Sequence, residues 1–589
     1  MLSTAASALP LMHTKGLTIL TWNVLLPNSV DGWWLYKYYG PGVPEAATTW
    51  EARQALMKER LIASNADVIC LQEVSDRSFA SDFQFLLDAG YDCALMSKGR
   101  MRPATFWKRD RLALCCADGT WPTAPSEPPA PPPAATESTA EPTLPSFIES
   151  SFSVKREYEA WARTERARFA EEGSGEAALP AATAVADAAV AGGAVVLQGD
   201  RLLTTMLRHT GSRAAAALAT SDDTASPSAM PGSPPVFVVN AHLSAGSEAR
   251  RRLRQVHETL EAIRKLLAKA GGGGTSGGKG AKGGKGGKGG KGGGDGPKGD
   301  AAASAAAAAA AEAAPAIILC GDFNSQGRSG VRELLVSGEV QPGFRESGDP
   351  TEPLASSVEL TSKAKRQPFG RFADVSESAY PAADTIASGE ASGEGGGGAV
   401  TLSARPPTII AADLMDVMVH ASGEGPSAGL TAAVDQMFDV LASDGKVMSA
   451  DDEARWLLAV NRATTRGSEM RAAKAAKAAR ADRGGDGSVM LREDLQSVYA
   501  SELSQGKFWG VEHDLRAVNG KGLASTEAKP FTATFDYIYH TTASLRLTAL
   551  PPPLTPDEYA SLLQAGGEIL PNAWFPSDHL PVAAALEFV

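Results

Sequence analysis

Six short polar clusters interrupt apolar runs of this chain where a simple core would stay apolar: Trp22-Asn23, Gln72-Glu73, Asn240-Ala241-His242, Gly321-Asp322-Phe323-Asn324, Asp536-Tyr537 and Ser577-Asp578-His579. Singly, each has an ordinary explanation. Asn23 satisfies a turn, Glu73 caps the next helix, His242 is a hydrogen-bonded structural histidine, and Asp536 or Asp578 is an N-cap. Together they hold what hydrolysis of a phosphate ester requires. That reaction needs a hard cation with oxygen ligands, a group that orients water, and donors that neutralise charge developing on the phosphoryl oxygens. Carboxylate, amide and imidazole groups at separate strand ends supply all three.

The elements that must position these groups are legible as hydrophobic patterns. LTILTWNVLL, ADVICLQEV, ATFWK, PVFVVNAHLS, PAIILCGDFNS, FTATFDYIYH and the final FPSDHLPVAAALEFV read as strands with polar ends. WEARQALMKERLIAS, SDFQFLLDAG, EARRRLRQVHETLEAIRKLLAKA and GVRELLVSG read as helices between them. Alternation of the two kinds predicts a layered α/β fold. At 589 residues the chain exceeds what one core organises, so insertions are expected. The predicted plan is a phosphoesterase domain in four parts, 17–116, 195–268, 315–427 and 507–589. Between them lie a low-complexity insertion at 117–194, a Gly/Lys and Ala-rich linker at 269–314, and a helical insertion at 428–506. Residues 155–172 are read as a polar helix inside the first insertion, and 346–410 as mostly loop.

In this order, TWNVLL, LQEV, NAHLS, GDFNS, FDYIYH and SDHLPV resemble the endonuclease/exonuclease/phosphatase superfamily. The resemblance implies a four-layer α/β sandwich, two facing mixed β-sheets flanked by helices, with a metal on the upper rim. It implies Glu73 as the main ligand of Mg2+ or Mn2+, with Asn23 beside the ion and Asp578 supporting it. Asp322 then orients or deprotonates the attacking water, with Asn324 contacting the phosphate. His579 donates to a non-bridging oxygen while Asp536 holds its ring, and His242 is a second phosphate donor with Asn240 close by. Leu25 stands where the abasic-site nucleases of the superfamily have an Asp. WNVLL, WEARQALMKERL and ATFWK are more similar to its Ccr4, nocturnin and Angel-type deadenylases. That branch implies an RNA or nucleotide substrate, cleaved by in-line attack of water, and a cytoplasmic or nuclear location. A lipid or inositol-phosphate phosphodiesterase is the alternative enzyme, and a catalytically dead scaffold that responds to calcium or tethers RNA is the alternative outside enzymes.

Asp482 to Glu493, DRGGDGSVMLRE, resembles a twelve-residue EF-hand loop, with Asp482 first, Asp486 fifth, Gly487 at the turn, Val489 in the small sheet between hands and Glu493 last. Asp482, Asp486, Glu493 and the Ser488 carbonyl are the expected Ca2+ ligands, although Gly484 removes one oxygen. Upstream, Asp444, Gly445, Val447 and Asp451 outline a degenerate partner hand whose first position is Val440.

The remaining features bound the partners. A net charge of -12 argues against a broad basic nucleic-acid surface, while a metal site brings its own positive charge. The glycine tract carrying Lys279, Lys282, Lys285, Lys288, Lys291 and Lys298 reads as a solvated linker or a mobile polycation for RNA or anionic lipid. Trp33, Trp34, Tyr36, Tyr38 and Tyr39 form an aromatic cluster that either packs as core or lid or stacks on a base. The five cysteines lack ligand spacing and read as reduced thiols. No segment reads as membrane-spanning, the first sixteen residues leave organelle import open, and no protein partner is identified.

Overall fold

Side-chain alternation along the strands decides the layering. In Leu17–Asn23, Leu17 and Ile19 face one core, and Leu20 and Trp22 face another. The computed structural model describes residues 16–122, 178–210, 234–246, 248–271, 315–346, 359–379, 407–411, 414–420, 425–523, 531–551, 558, 562 and 569–589. The expected polar helix at 155–172, the Gly/Lys tract and the first fifteen residues lie outside the described residues.

One sheet of six strands runs, edge to edge, Leu545–Ala549, Val582–Phe588, Leu17–Asn23, Val68–Val74, Arg102–Lys108 and Tyr91–Leu95. The second runs Phe372–Asp374, Asp536–Thr541, Ala316–Asp322, Val236–His242, Leu202–His209 and Leu112–Leu114, with Val196–Gln198 also paired to Leu202–His209. Each sheet is mixed. Leu17–Asn23 and Val68–Val74 are parallel, as are Val236–His242 and Ala316–Asp322, while the other pairs are antiparallel.

Ile19, Val68, Cys70 and Trp107 of the first sheet meet Leu203, Val238, Ile318 and Ile538 of the second in one buried cluster, so the sheets face each other. The outer face of the first sheet is covered by Met57 and Leu61 of helix Trp50–Ser64 and by Phe79 and Phe83 of helix Phe79–Asp88. Leu253, Val256 and Leu260 of helix Ala249–Gly271, with Val331 and Leu334 of helix Gly330–Ser337, cover the other. The four-layer α/β sandwich expected from the sequence is the observed fold.

The structure adds order in two regions that composition concealed. Ala178–Ala191, within the expected low-complexity insertion, is a helix whose Ala186 joins the core between the sheets. Alanine loses no side-chain entropy in a helix, so a low-complexity run can still fold when a surface receives it. Within the expected loop at 346–410, Phe372–Asp374 forms the edge of the second sheet.

Five helices, Ala428–Leu441, Ala450–Asn461, Ser468–Ala481, Arg492–Ser504 and Phe508–Asn519, pack around Phe438, Trp456 and Tyr499. This block runs past the expected end at 506, because Val511 and Leu515 of the last helix are buried in the same core. Lys37 ties the block to the loop after Asn23: its Nζ lies 2.8 Å from Glu469 and 3.0 Å from Asp514, and all three are buried.

Asp82 lies buried in the first turn of Phe79–Asp88 and accepts from Ser78 Oγ at 2.6 Å. Burial pushes its carboxyl up to about 7, against the lowering effect of Ser78, Ser29 and Arg53. A folded-state pKa above the unfolded value of 3.8 means that the folded chain holds this proton more tightly. Stability from this group is therefore greatest below pH ~4 and is lost as pH rises toward ~7, by up to about 4 kcal/mol. Asp82→Asn is expected to raise the melting temperature at pH 8 and to give no gain at pH 4; a gain independent of pH would show that another group dominates.

Candidate active site

The same two-residue period that buries Ile19, Cys70, Val238 and Ile318 aims Asn23, Gln72, Asn240, His242 and Asp322 into the gap between the sheets. Register brings them to one rim. Asn23 pairs with Gln72, His242 with Asp322, and Asp322 with Asp536. His579 follows because its segment precedes Val582, which pairs with Thr21, and because Trp22 Nε1 donates to the His579 carbonyl at 2.7 Å. Ser577 Oγ donates to the Asn23 carbonyl at 2.7 Å. All six clusters therefore converge.

Backbone strain concentrates there. Leu25, Glu73 and Asn324 are three of the six non-glycine residues with positive φ among those described. Register shifts between Leu71 and Val74, a bulge that re-aims Glu73 toward Asn23 and Asp322. Each left-handed non-glycine residue costs roughly 1–2 kcal/mol, so the neighbouring structure must impose it. Gly321, at φ 133°, permits the close strand approach, since a Cβ would lie 1.9 Å from the Ala241 carbonyl oxygen.

Asn23 Nδ2 lies 3.1 Å from Glu73 Oε1 and 3.0 Å from Asp322 Oδ2, while its Oδ1 accepts from Leu25 N–H at 3.0 Å. An amide nitrogen does not ligate a cation, so in this arrangement Asn23 aligns two carboxylates rather than standing as a ligand. His242 Nε2 lies 3.5 Å from Glu73 and 3.8 Å from Asp322. His579 Nδ1 is 2.7 Å from Asp536 Oδ2. Asp322 also receives the backbone N–H of Asn324 at 2.8 Å and its Nδ2 at 3.0 Å. That Nδ2 donates to the Leu243 carbonyl as well, leaving Oδ1 as the free end of the Asn324 amide.

Asn240 is placed differently from expectation. It is fully buried, accepts from Gln72 at 2.8 Å, and donates to the carbonyls of Leu71 and Ala104 across the gap. With its polar atoms so occupied, it joins the two sheets beneath the rim and presents nothing to a phosphate.

Electrostatics at the rim are unbalanced. Burial raises the Asp322 carboxyl above its usual range, reinforced by Asp536 and opposed by His579 and His242. Burial raises Asp578 likewise, with Glu73 and Asp322 adding repulsion and His579 opposing them. Burial alone would depress His579, but Asp536, Asp578 and Asp322 outweigh it and hold the imidazole protonated well above its ordinary value. Asp322, Asp536 and His579 bring one ligand atom each within 4.8 Å of one another, and Asp536 Oδ1 is buried without a hydrogen bond. Four carboxylates thus face two imidazoles. This donor set, rich in hard oxygen with surplus negative charge, fits a divalent cation of the Mg2+ or Mn2+ kind.

Two supports had no sequence signature. Arg53, fully buried on helix Trp50–Ser64, donates to the carbonyls of Val24, Leu25, Leu26 and Pro576, joining the loop after Asn23 to the one before His579. Thr408 Oγ1 accepts from the N–H groups of Phe535 and Asp536, and its carbonyl accepts from Leu580 N–H.

The EF-hand-like loops pair by an antiparallel bridge between Met448 and Met490, one residue beyond the expected Val447 and Val489. The caps shift with it: Asp452 accepts from Ser449 N–H and Asp494 from Leu491 N–H, the places expected of Asp451 and Glu493. Arg480 enters the second loop, donating to the carbonyls of Asp486 and Val489 and to Asp494 at 3.0 Å. Asp486 instead accepts from Ser488 within the loop. Among the described residues, Asp482, Asp486 and Glu493 do not form a ligand cluster.

Residues 20–192 match the Endonuclease/Exonuclease/phosphatase family. That stretch is similar to members of this family. Over 107 residues the chain is 31% identical to a Candida glabrata CCR4-Not complex 3'-5'-exoribonuclease subunit Ccr4, covering 18% of this chain and 12% of that protein. The Saccharomyces cerevisiae Ccr4 subunit is 28% identical over 122 residues, 18% of this chain and 14% of its own length. The chain thus matches only a small part of these relatives. Among solved structures, ANGEL2, a 2',3'-cyclic phosphatase, aligns over 97% of this chain and 95% of its own with 12% identity and a TM-score of 0.41. The human Nocturnin catalytic domain aligns over 98% and 94%, with 11% identity and a TM-score of 0.33.

Proposed function

We propose that the chain is a divalent-metal-dependent phosphoesterase that cleaves an RNA or nucleotide phosphate ester by direct attack of water. The observation that carries this reading is the convergence of six distant clusters into one rim with more carboxylates than cations. Glu73, with Asp578, is the proposed holder of Mg2+ or Mn2+, since its side chain is 15% exposed while that of Asp322 is 2% exposed. Asn23 orients Glu73 and gives an oxygen ligand only if its amide turns over and releases Leu25 N–H. A bound cation there supplies charge opposite the phosphoryl oxygens.

Asp322, fixed by Asn23 and Asn324, accepts the proton of the attacking water. Protonated His579, its Nδ1 held by Asp536, directs Nε2 to a non-bridging oxygen, and His242 is a second donor beside Glu73. Such donors count most where charge develops in a site poor in water. Similarity to exoribonuclease subunits supports a ribonucleotide substrate, and the lean is toward a 3'-exoribonuclease or a nucleotide phosphatase.

Purified full chain should hydrolyse poly(A) RNA or a nucleotide with Mg2+ or Mn2+ and lose turnover in chelator. Turnover confined to sphingomyelin or inositol phosphates would redirect the substrate, and none on any of these would defeat the enzymatic reading. Calcium modulation through the EF-hand-like loop gains no support from Arg480, whose guanidinium lies among the loop's oxygens. With magnesium constant, activity is therefore expected to be the same with and without millimolar Ca2+; a calcium response would restore the loop as a cation site.

A further inference from the structure

Between the loop after Asn23 and the helical block lies a cavity of about 310 Å3 that contains none of the rim residues. Tyr36, Tyr39 and Glu45 line it on one side, and Arg462, His513 and Arg516 on the other. Its volume is at the small end of ligand pockets. We propose that this cavity is a second binding site, for a small phosphate-bearing molecule.

Its basic groups are poised and incompletely satisfied. The Arg516 side chain makes no hydrogen bond or ion pair among the described residues, and burial lowers its pKa despite the opposing effect of Glu512. A guanidinium that is partly buried and unpaired gains most from an anion. Tyr39 is 4% exposed and walls the cavity, while its hydroxyl is buried toward Arg53 and Asp578. Arg462 lies 3.9 Å from the centre of the Tyr36 ring, which fixes its plane, and its pairing with Glu45 is exposed and therefore weak. His513 is oriented through Nδ1 by Asp514 at 2.9 Å, leaving Nε2 as its remaining polar atom.

Two guanidiniums and an imidazole exceed what one carboxylate can engage, and they match the several oxygens of a phosphomonoester. Among the described residues the only acid lining the cavity is Glu45, which is mostly exposed on the side already turned to Arg462. A volume of about 310 Å3 suits a small molecule.

Calorimetric titration of the full chain with inorganic phosphate and with AMP, in chelator, tests the site. Arg516→Gln and Arg462→Gln are each expected to weaken phosphate binding at least about tenfold, with hydrolysis and melting temperature near native. Equal weakening for phosphate and AMP would identify the phosphate as the recognised group, and selective weakening for AMP would add its nucleoside. Binding within about twofold of native in both variants, or binding lost in His579→Ala instead, would place the anion on the catalytic rim and overturn the proposal. No phosphate binding by the native chain up to about 10 mM would overturn it as well.

Discussion

Asp322→Asn is expected to lower kcat by about 10³-fold or more while the chain stays folded. The substitution keeps the shape of the side chain and removes the proposed proton acceptor, and general-base catalysis of this kind contributes about 10²–10⁴. Stability should change little, because two effects oppose each other. The amide keeps one acceptor oxygen for the Asn324 N–H but loses the hydrogen bonds from the Asn23 and Asn324 side chains, and it also removes the repulsion between Asp322 and Asp536. His579→Ala should lower kcat by about 10²–10³-fold, the range for deleting one donor to developing charge. The two losses should not multiply in the double variant, since both groups serve one transition state. The decisive measurement is single-turnover cleavage by folded variants under saturating metal; if Asp322→Asn kept a tenth of native turnover, water activation would have to be assigned elsewhere.

Lys37→Met is expected to destabilise the chain by about 3–5 kcal/mol, the usual cost of removing one partner from a buried charge cluster. Lys37 is 3% exposed and lies between Glu469 and Asp514. Burial alone would lower its pKa, but the two acids reverse that and raise it. Lys37 also pulls Glu469 below its usual range against burial, whereas burial still keeps Asp514 raised. Without the ammonium, two buried carboxylates face each other. They would take up protons more readily than in the unfolded chain, so the deficit should shrink as pH falls toward 5 and be full at pH 8. Glu469→Gln added to Lys37→Met should recover part of the loss. Urea unfolding at both pH values reads this out, and a loss below about 1 kcal/mol at pH 8 would mean that the helical block is held by its apolar contacts alone. Those contacts include Trp509, stacked on Trp34 and Tyr38 with ring centres 5.0 and 4.1 Å away. The aromatic cluster near the first strand thus acts at least in part as packing for the helical block.

Much of the rim was legible in the sequence. Asn23, Glu73, His242, Asp322, Asp536 and His579 could be picked out because a strand that must be apolar on its inner face carries a polar group only at its end. Asn240 obeyed the same pattern and yet sits beneath the rim, since the pattern gives the face a side chain takes and not its depth in the gap. Arg53 and Thr408 were invisible because their partners are backbone carbonyls and N–H groups, which have no residue-type signature. The EF-hand-like loop misled by one residue. Its spacing was right for calcium, but the bridge at Met448 and Met490 and the entry of Arg480 depend on how two helices approach.

Local pattern therefore determined most strands and helices, a layered α/β fold and the identity of most groups with chemistry, because burial imposes periods of two and 3.6 on the chain itself, whereas the four-layer plan was implied by the family resemblance. The facing of the sheets, the aim of Glu73, the clamp of Arg53, the Lys37 tie and the cavity around Arg516 were decided only by the folded whole. Each of these depends on contacts between residues far apart in sequence, as in the Asn23–Asp322 hydrogen bond that spans 299 residues. Such contacts arise from packing three-dimensional surfaces together, and no periodicity along the chain encodes them.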